Sequence, residues 1–382
     1  MMSRIVGIIA EYNPFHNGHA YHLMRARKAA DFLVIVMSGN FVQRGEPAIV
    51  DKRARTEMAL RAGADIVLEM PTHISSASAG YFARGAVEML AATGVVDTIA
   101  FGAEAELIHI KEVSELIRNE PLEYARKLRA GLDEGLAYPV ARAKAAEIFG
   151  GLYAEVLRGP NNVLGIEYIN SLNRIGSDIE CLVIKRTVEH TGGTCGSFAS
   201  ASVVRRIMEA GGEFETYVPH TTKQLLEDYG TIHRLDNLSH LFHHRLRLLG
   251  EDGLRGIADV GEGLENRILR FAKQAYLISD IIARVKTKRY TMSRIRRIIL
   301  YVLLGITELG RPVEHLRLLG MRRGSEELLR KIASKANVPL VSTPRAAIRL
   351  EARDTDIYYL SADCPTKRLW DRSQEYRLPV VI

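Results

Sequence analysis

Four short apolar runs rich in β-branched residues punctuate the first hundred residues: Ile5–Ala10, Phe32–Met37, Ile66–Met70 and Thr98–Gly102. Each ends in turn residues, and helix-like stretches lie between them at Ala20–Ala30, Arg53–Gly63 and Tyr81–Ala92. Strand, helix, strand at this spacing predicts a parallel sheet with right-handed crossovers. Leu182–Lys185 reads as a later strand. Beyond Tyr217-Val218-Pro219 the apolar spacing changes to three and four, as in Leu225–Tyr229, Leu241–Leu249, Leu264–Leu277 and Arg294–Leu304. Residues 220–335 therefore read as mostly helical, and strand-like pieces close the chain at Leu340–Val341 and Leu378–Ile382. The fold class expected is α/β: a Rossmann-like domain with a parallel sheet over 1–218, then a mainly helical C-terminal domain over 219–382.

A chain of 382 residues, 47% hydrophobic and 25% charged, can bury a large core. Its longest strongly apolar stretch, Ile298–Ile306, is far short of the ~20 residues that span a bilayer. No membrane partner is expected. The first ten residues lack the pattern of a signal peptide. Cys181, Cys195 and Cys364 are scattered, suit a reducing cytoplasm and read as buried thiols without metal-ligand spacing. The net charge of +7 permits a polyanionic partner.

In parallel sheets ligands bind beyond the carboxyl ends of strands. Neither G-x-x-x-x-G-K-[ST] nor a G-x-G-x-x-G after a strand is present. The first strand end instead reads "GIIAEYNPFHNGHA", Gly7 to Ala20. The chain turns through Asn13-Pro14 and opens a helix near Gly18, with His16 and His19 at its mouth. A helix N-terminus favours phosphate, and Gly18 admits close approach. Two imidazole donors there can stabilise charge on a phosphoryl group in transfer. His22, three residues on, is left out of the chemistry. "SASVVR", Ser200 to Arg205, opens a later helix. Ser200 and Ser202 are expected to cap it and donate to phosphate, with Arg205 one turn on.

His16-Asn17-Gly18-His19 and Ser200–Arg205 resemble, in order, the HxGH and S-S/A-T/S-x-x-R motifs of the nucleotidyltransferase superfamily. The resemblance extends through "VMSGNFVQRGEPA", "DKRARTEMAL", "AFGAE", "GPNNVLGIEYI", "EGLENRI" and "KRYTMSRIRR" to the bacterial tRNA(Met) cytidine acetate ligase family. That resemblance implies an ATP-dependent ligase. It would activate acetate as acetyl-adenylate and acetylate the wobble cytidine of elongator tRNA(Met), giving N4-acetylcytidine. It implies ATP contacts along the first-strand loop, Gly7, Ile8, Ile9, Ala10, Glu11, Tyr12, Asn13, Pro14, Phe15, His16, Asn17, Gly18, His19 and Ala20. Single contacts map to Gly102, Asn162 and Arg186. The resemblance also implies that Arg205 neutralises a leaving pyrophosphate. Magnesium is expected to arrive with ATP. After Arg186 the family pattern has a tyrosine-histidine pair, where this sequence reads Val188-Glu189-His190.

An acetate pocket must be small. Ser38, Gly39, Asn40 and Lys52 are candidate walls, with Gln43 or Arg44 as a further polar contact. Arg284, Lys286, Lys288, Arg289, Arg294, Arg296 and Arg297 form the densest basic run, with Tyr290 between them and no acid. These residues read as an RNA face, the tyrosine stacking on a base. Arg317, Arg322 and Arg323 can extend it. His240, His243 and His244 lack acidic or cysteine companions and read as surface histidines, not metal ligands. Two other readings remain: an adenylyltransferase for a small phosphorylated metabolite, or a non-catalytic RNA-binding protein with a nucleotide fold.

Overall fold

The computed structural model describes residues 3–186, 194–364 and 377–382. Its strands are β1 (Ile5–Ala10), β2 (Phe32–Ser38), β3 (Phe41–Val42), β4 (Glu46–Pro47), β5 (Ile66–Met70), β6 (Thr98–Ala103), β7 (Glu180–Lys185), β8 (Thr194–Cys195), β9 (Phe198–Ala199), β10 (Leu316–Met321), β11 (Leu340–Val341) and β12 (Val380–Val381). The main sheet runs β11-β10-β5-β2-β1-β6-β7, with β12 also on β10. From β5 to β7 all neighbours are parallel. The strand order reverses at β1: β2 and β5 lie to one side, β6 and β7 to the other. This is the topological switch point, so the loops after β1 and β6 frame a crevice.

Alternation along each strand sends side chains to opposite faces. Val34 and Val36 join Leu90 and Phe82 on one side, while Leu33, Ile35 and Met37 join Leu23, Met58 and Leu60 on the other. Helix Ala79–Ala92 thus covers one face, and helices Asn17–Arg27 and Lys52–Arg61 the other. Gly7 is required by this packing: a Cβ there would lie 2.8 Å from a Leu90 methyl. Helices spanning 107–175 connect β6 to β7.

The helices between 220 and 304 form a second core around Phe242, Ile268, Ile281, Ile298 and Leu303. One stretch read as part of the helical domain is a strand instead. The run "LRLLGM" is β10, antiparallel to β5, so the chain returns to the first sheet after its helical excursion. Arg317 is accordingly buried against Glu69 at 2.7 Å, and Arg322 pairs with Asp65; neither extends a basic surface. The thiols also differ from expectation: Cys364 is exposed and Cys181 half-buried.

Candidate active site

The loop after β1 is held by its own packing and hydrogen bonds. Tyr12 takes a left-handed φ of 51°, uncommon for a bulky side chain, and is 1% exposed. Its ring packs edge-on against Phe15 at 4.8 Å and His19 at 4.9 Å. Asn13 Oδ1 accepts from Ile49 N at 2.7 Å, and the Asn13–Pro14 peptide is cis. His16 is the helix N-cap, its Nδ1 accepting from Gly18 N at 3.0 Å. His19 Nδ1 accepts from His16 N at 3.3 Å, and the two rings stack at 3.7 Å. A Cβ on Gly18 would lie 2.8 Å from His16 Cε1, so a larger residue at 18 would displace the His16 ring.

This arrangement fixes the chemistry of both rings. An Nδ1 that accepts a backbone N–H leaves the neutral imidazole proton on Nε2. Burial, then Arg186 and Arg205, pushes His16 down to about 3. Burial, then His16, Arg186 and His22, holds His19 well below the ordinary value of 6.5. At neutral pH the pair therefore presents two neutral Nε2–H donors. Neither Nε2 has a partner among the described residues.

His22 is the site residue that the sequence reading set aside. Its Nε2 is buried without a partner, and burial followed by Arg186 lowers it to about 4. Histidines with folded values below 6.5 bind fewer protons folded than unfolded, so stability is present above 6.5 and lost as pH falls. Stability should therefore decline from pH 6.5 towards about 4 and below. His22→Gln should flatten that decline, as read by denaturant titration across the range; an unaltered slope would show that His22 titrates normally.

Cations and polar groups from three other strand ends converge here. Arg186 follows β7, and its N donates to Ala103 O at 3.0 Å. Its side chain lies over Gly102, where a Cβ would sit 3.5 Å from Arg186 Cγ. Asn162, 3% exposed, is built into the fold through its Oδ1, which accepts from Glu104 N and Ala105 N, both at 2.9 Å. It shapes the loop after β6. Asn17 Nδ2 donates to Ser197 O at 2.8 Å and Thr216 O at 3.0 Å, tying the first motif to the flanks of the second. Ser200 stands at the N-cap of helix Ala201–Glu209, but its hydroxyl does not cap the helix. It bonds Ser202 Oγ at 2.9 Å instead, a departure from the expected N-cap bond that leaves the helix N–H groups for an anion. Arg205 donates to Asn13 O at 2.7 Å and pairs with Glu46 at 3.0 Å. Val188, Glu189 and His190 lie outside the described residues.

The acetate walls are embedded differently from expectation. Asn40 Oδ1 accepts from Lys52 N at 2.9 Å while its Nδ2 donates to Thr355 Oγ1 at 3.1 Å. Lys52 Nζ bonds Glu69 at 2.7 Å in the interior, and Gly39 lies against that same carboxylate. Their polar groups serve the fold; Ser38 Oγ is buried without a partner. Gln43 contributes its N–H to Glu11 Oε1 at 2.7 Å.

Sequence reasoning missed Arg55. It is 0% exposed, and its guanidinium donates to Glu11 O at 2.7 Å, Ser38 O and Val50 O at 3.0 Å, and Gly39 O. One side chain thus ties the loops after β1 and β2 together. Nothing in the sequence set it apart from Lys52, Arg53 and Arg61 on the same helix.

The basic run is also more neutralised than its sequence suggests. Arg289 pairs with Glu262 at 3.1 Å, Arg294 with Asp259 at 3.1 Å, Arg296 with Glu46 at 3.6 Å and Arg297 with Asp259 at 3.9 Å. Tyr290 cannot stack on a base as placed: it is 8% exposed and its hydroxyl donates to Glu262 O at 2.8 Å. Arg284, Lys286 and Lys288 stay exposed with no ion pair among the described residues. The helical region abuts the site through the β3–β4 hairpin, since Glu46 engages both Arg205 and Arg296.

The pattern of the HIGH Nucleotidyl Transferase family matches residues 2–372. A tRNA(Met) cytidine acetate ligase from Thermoanaerobacter sp. (strain X514) is 40% identical, with 88% of each chain covered. The chain belongs to the tRNA(Met) cytidine acetate ligase family. The ligase of that name from Acetivibrio thermocellus is 36% identical over 99% of this chain and 100% of its own. Among solved structures, Thermotoga maritima TmcAL bound with alpha-thio ATP superposes with a TM-score of 0.90, at 32% identity over 99% of each chain. The apo form of the same protein gives 0.90 at 33% identity. Family membership accounts for the two motifs together with a helical region that an adenylyltransferase for small metabolites does not need.

Proposed function

We propose that this protein is an ATP-dependent tRNA(Met) cytidine acetate ligase. The observation that carries the reading is the pair of Nε2–H donors on stacked His16 and His19 at the switch point, within a chain that matches such ligases over its whole length. Mg–ATP binds as substrate along Gly7–Ala20, with Gly102, Asn162 and Arg186 at its flank and Ser200 and Ser202 at the second helix mouth. An acetate oxygen attacks the α-phosphorus, the bond to the bridging oxygen breaks, and pyrophosphate leaves. His16 and His19 donate to the phosphoryl oxygens as charge shifts to the leaving group. Arg205, on release from Glu46, neutralises pyrophosphate. The cytidine N4 then attacks the acetyl carbonyl, loses a proton, and AMP departs. Residues 219–382 include the RNA-facing surface, with Arg284, Lys286 and Lys288 its free cations.

Neutral imidazoles predict a rate that does not depend on their protonation. Acetate-dependent exchange of labelled pyrophosphate into ATP should be present and level between pH 6.5 and 8 as far as these two groups govern it. Exchange that needs a phosphorylated metabolite instead of acetate would sink the reading in favour of the small-metabolite adenylyltransferase.

A further inference from the structure

The buried ring of Tyr290 leaves the RNA surface without its expected aromatic, and another tyrosine fills that part. Tyr276 is 57% exposed in the turn after helix Leu264–Ala272. Its ring lies parallel to that of His243, 5.5 Å away at 10°. His243 Nε2 bonds Tyr276 O at 3.0 Å, so the turn is pinned to helix Ser239–Arg255 through the backbone and the tyrosine ring is oriented without using its hydroxyl.

Exposed cations lie on the two elements that carry the Tyr276–His243 pair. Arg247 lies one turn beyond His243 on the same helix face. Lys273 caps helix Leu264–Ala272, and Arg270 precedes it by three residues. All three are exposed, and none makes an ion pair among the described residues. Asp236, which reaches this turn, is occupied by Ser279 N and Oγ, both at 2.7 Å. A flat, exposed aromatic face backed by a second ring, with cations lacking ion pairs on the same elements, is the chemistry that takes an unstacked base and its flanking phosphates.

We propose that Tyr276, backed by His243, is a stacking platform for an unpaired base of the tRNA, with Arg247, Arg270 and Lys273 contacting the adjacent phosphates. The inference rests on the tRNA ligase reading. In the full-length protein, Tyr276→Ala should raise the Kd for an elongator tRNA(Met) transcript about tenfold, the scale of losing one stacked base. Tyr276→Phe should restore it. The dependence of log Kd on log salt should be unchanged by Tyr276→Ala and lose about 1–2 in slope in Arg270→Ala/Lys273→Ala. Acetate-dependent pyrophosphate exchange should be unaltered in all three. Wild-type tRNA affinity in Tyr276→Ala would overturn the platform while leaving the ligase reading intact. Absence of acetate-dependent exchange in the wild type would instead overturn the ligase reading, whatever Tyr276 does.

Discussion

His19→Ala should lower the rate of acetyl-adenylate formation by about 10²–10³, or ~3–4 kcal/mol, the usual scale for removing one donor to a transition-state oxygen. The effect is large because His19 does two jobs. On the proposed reading its Nε2–H donates to the reacting phosphate, and in the structure its ring stacks on His16 while its Nδ1 receives the His16 N–H. Alanine removes the donor and loosens its twin. Affinity for tRNA should change less than twofold, since the free cations of the helical region lie on other elements. His19→Asn, which keeps a short donor, should recover part of the rate. A single-turnover measurement with acetate and ATP decides it; a fully active alanine variant would remove His19 from the chemistry.

The second large effect is structural. Arg55→Met should unfold at a temperature lower by about 5 °C or more, corresponding to about 3 kcal/mol. Methionine fills much of the volume but leaves the carbonyls of Glu11, Ser38, Gly39 and Val50 without their common donor in the interior. Arg55→Lys should rescue little, because a point ammonium cannot reproduce a planar fork that meets several carbonyls at once. Scanning calorimetry of the three proteins reads this directly, and matching transitions would mean that these loops find other partners.

The strands around the switch point were legible because each is a short apolar run ended by turn residues. Ile5–Ala10 and Ile66–Met70 fall where periodicity put them. The two motifs were legible because their residue types are spaced for one helix mouth each. What sequence could not show were partners far along the chain. Tyr290 looked like a stacking residue until the fold brought Glu262 to its hydroxyl. Arg296 looked free until Glu46, 250 positions earlier, met it. β10 was hidden because Arg317 made "LRLLGMRRG" read as basic surface, when its charge is matched by Glu69 on the neighbouring strand. Lys52 and Asn40 looked like pocket donors for the same reason: nothing local announced Glu69 or Thr355. Tyr276 was passed over because its isolation in sequence hid the histidine that backs it.

The central claim is that one chain carries acetate to a cytidine of tRNA through an adenylate. Incubation of the protein with labelled acetate, ATP and bulk bacterial tRNA, followed by digestion to nucleosides, tests it most directly. The account predicts label in N4-acetylcytidine, dependent on ATP and lost in His19→Ala. Label-free nucleosides under conditions where the protein binds both ATP and tRNA would contradict it.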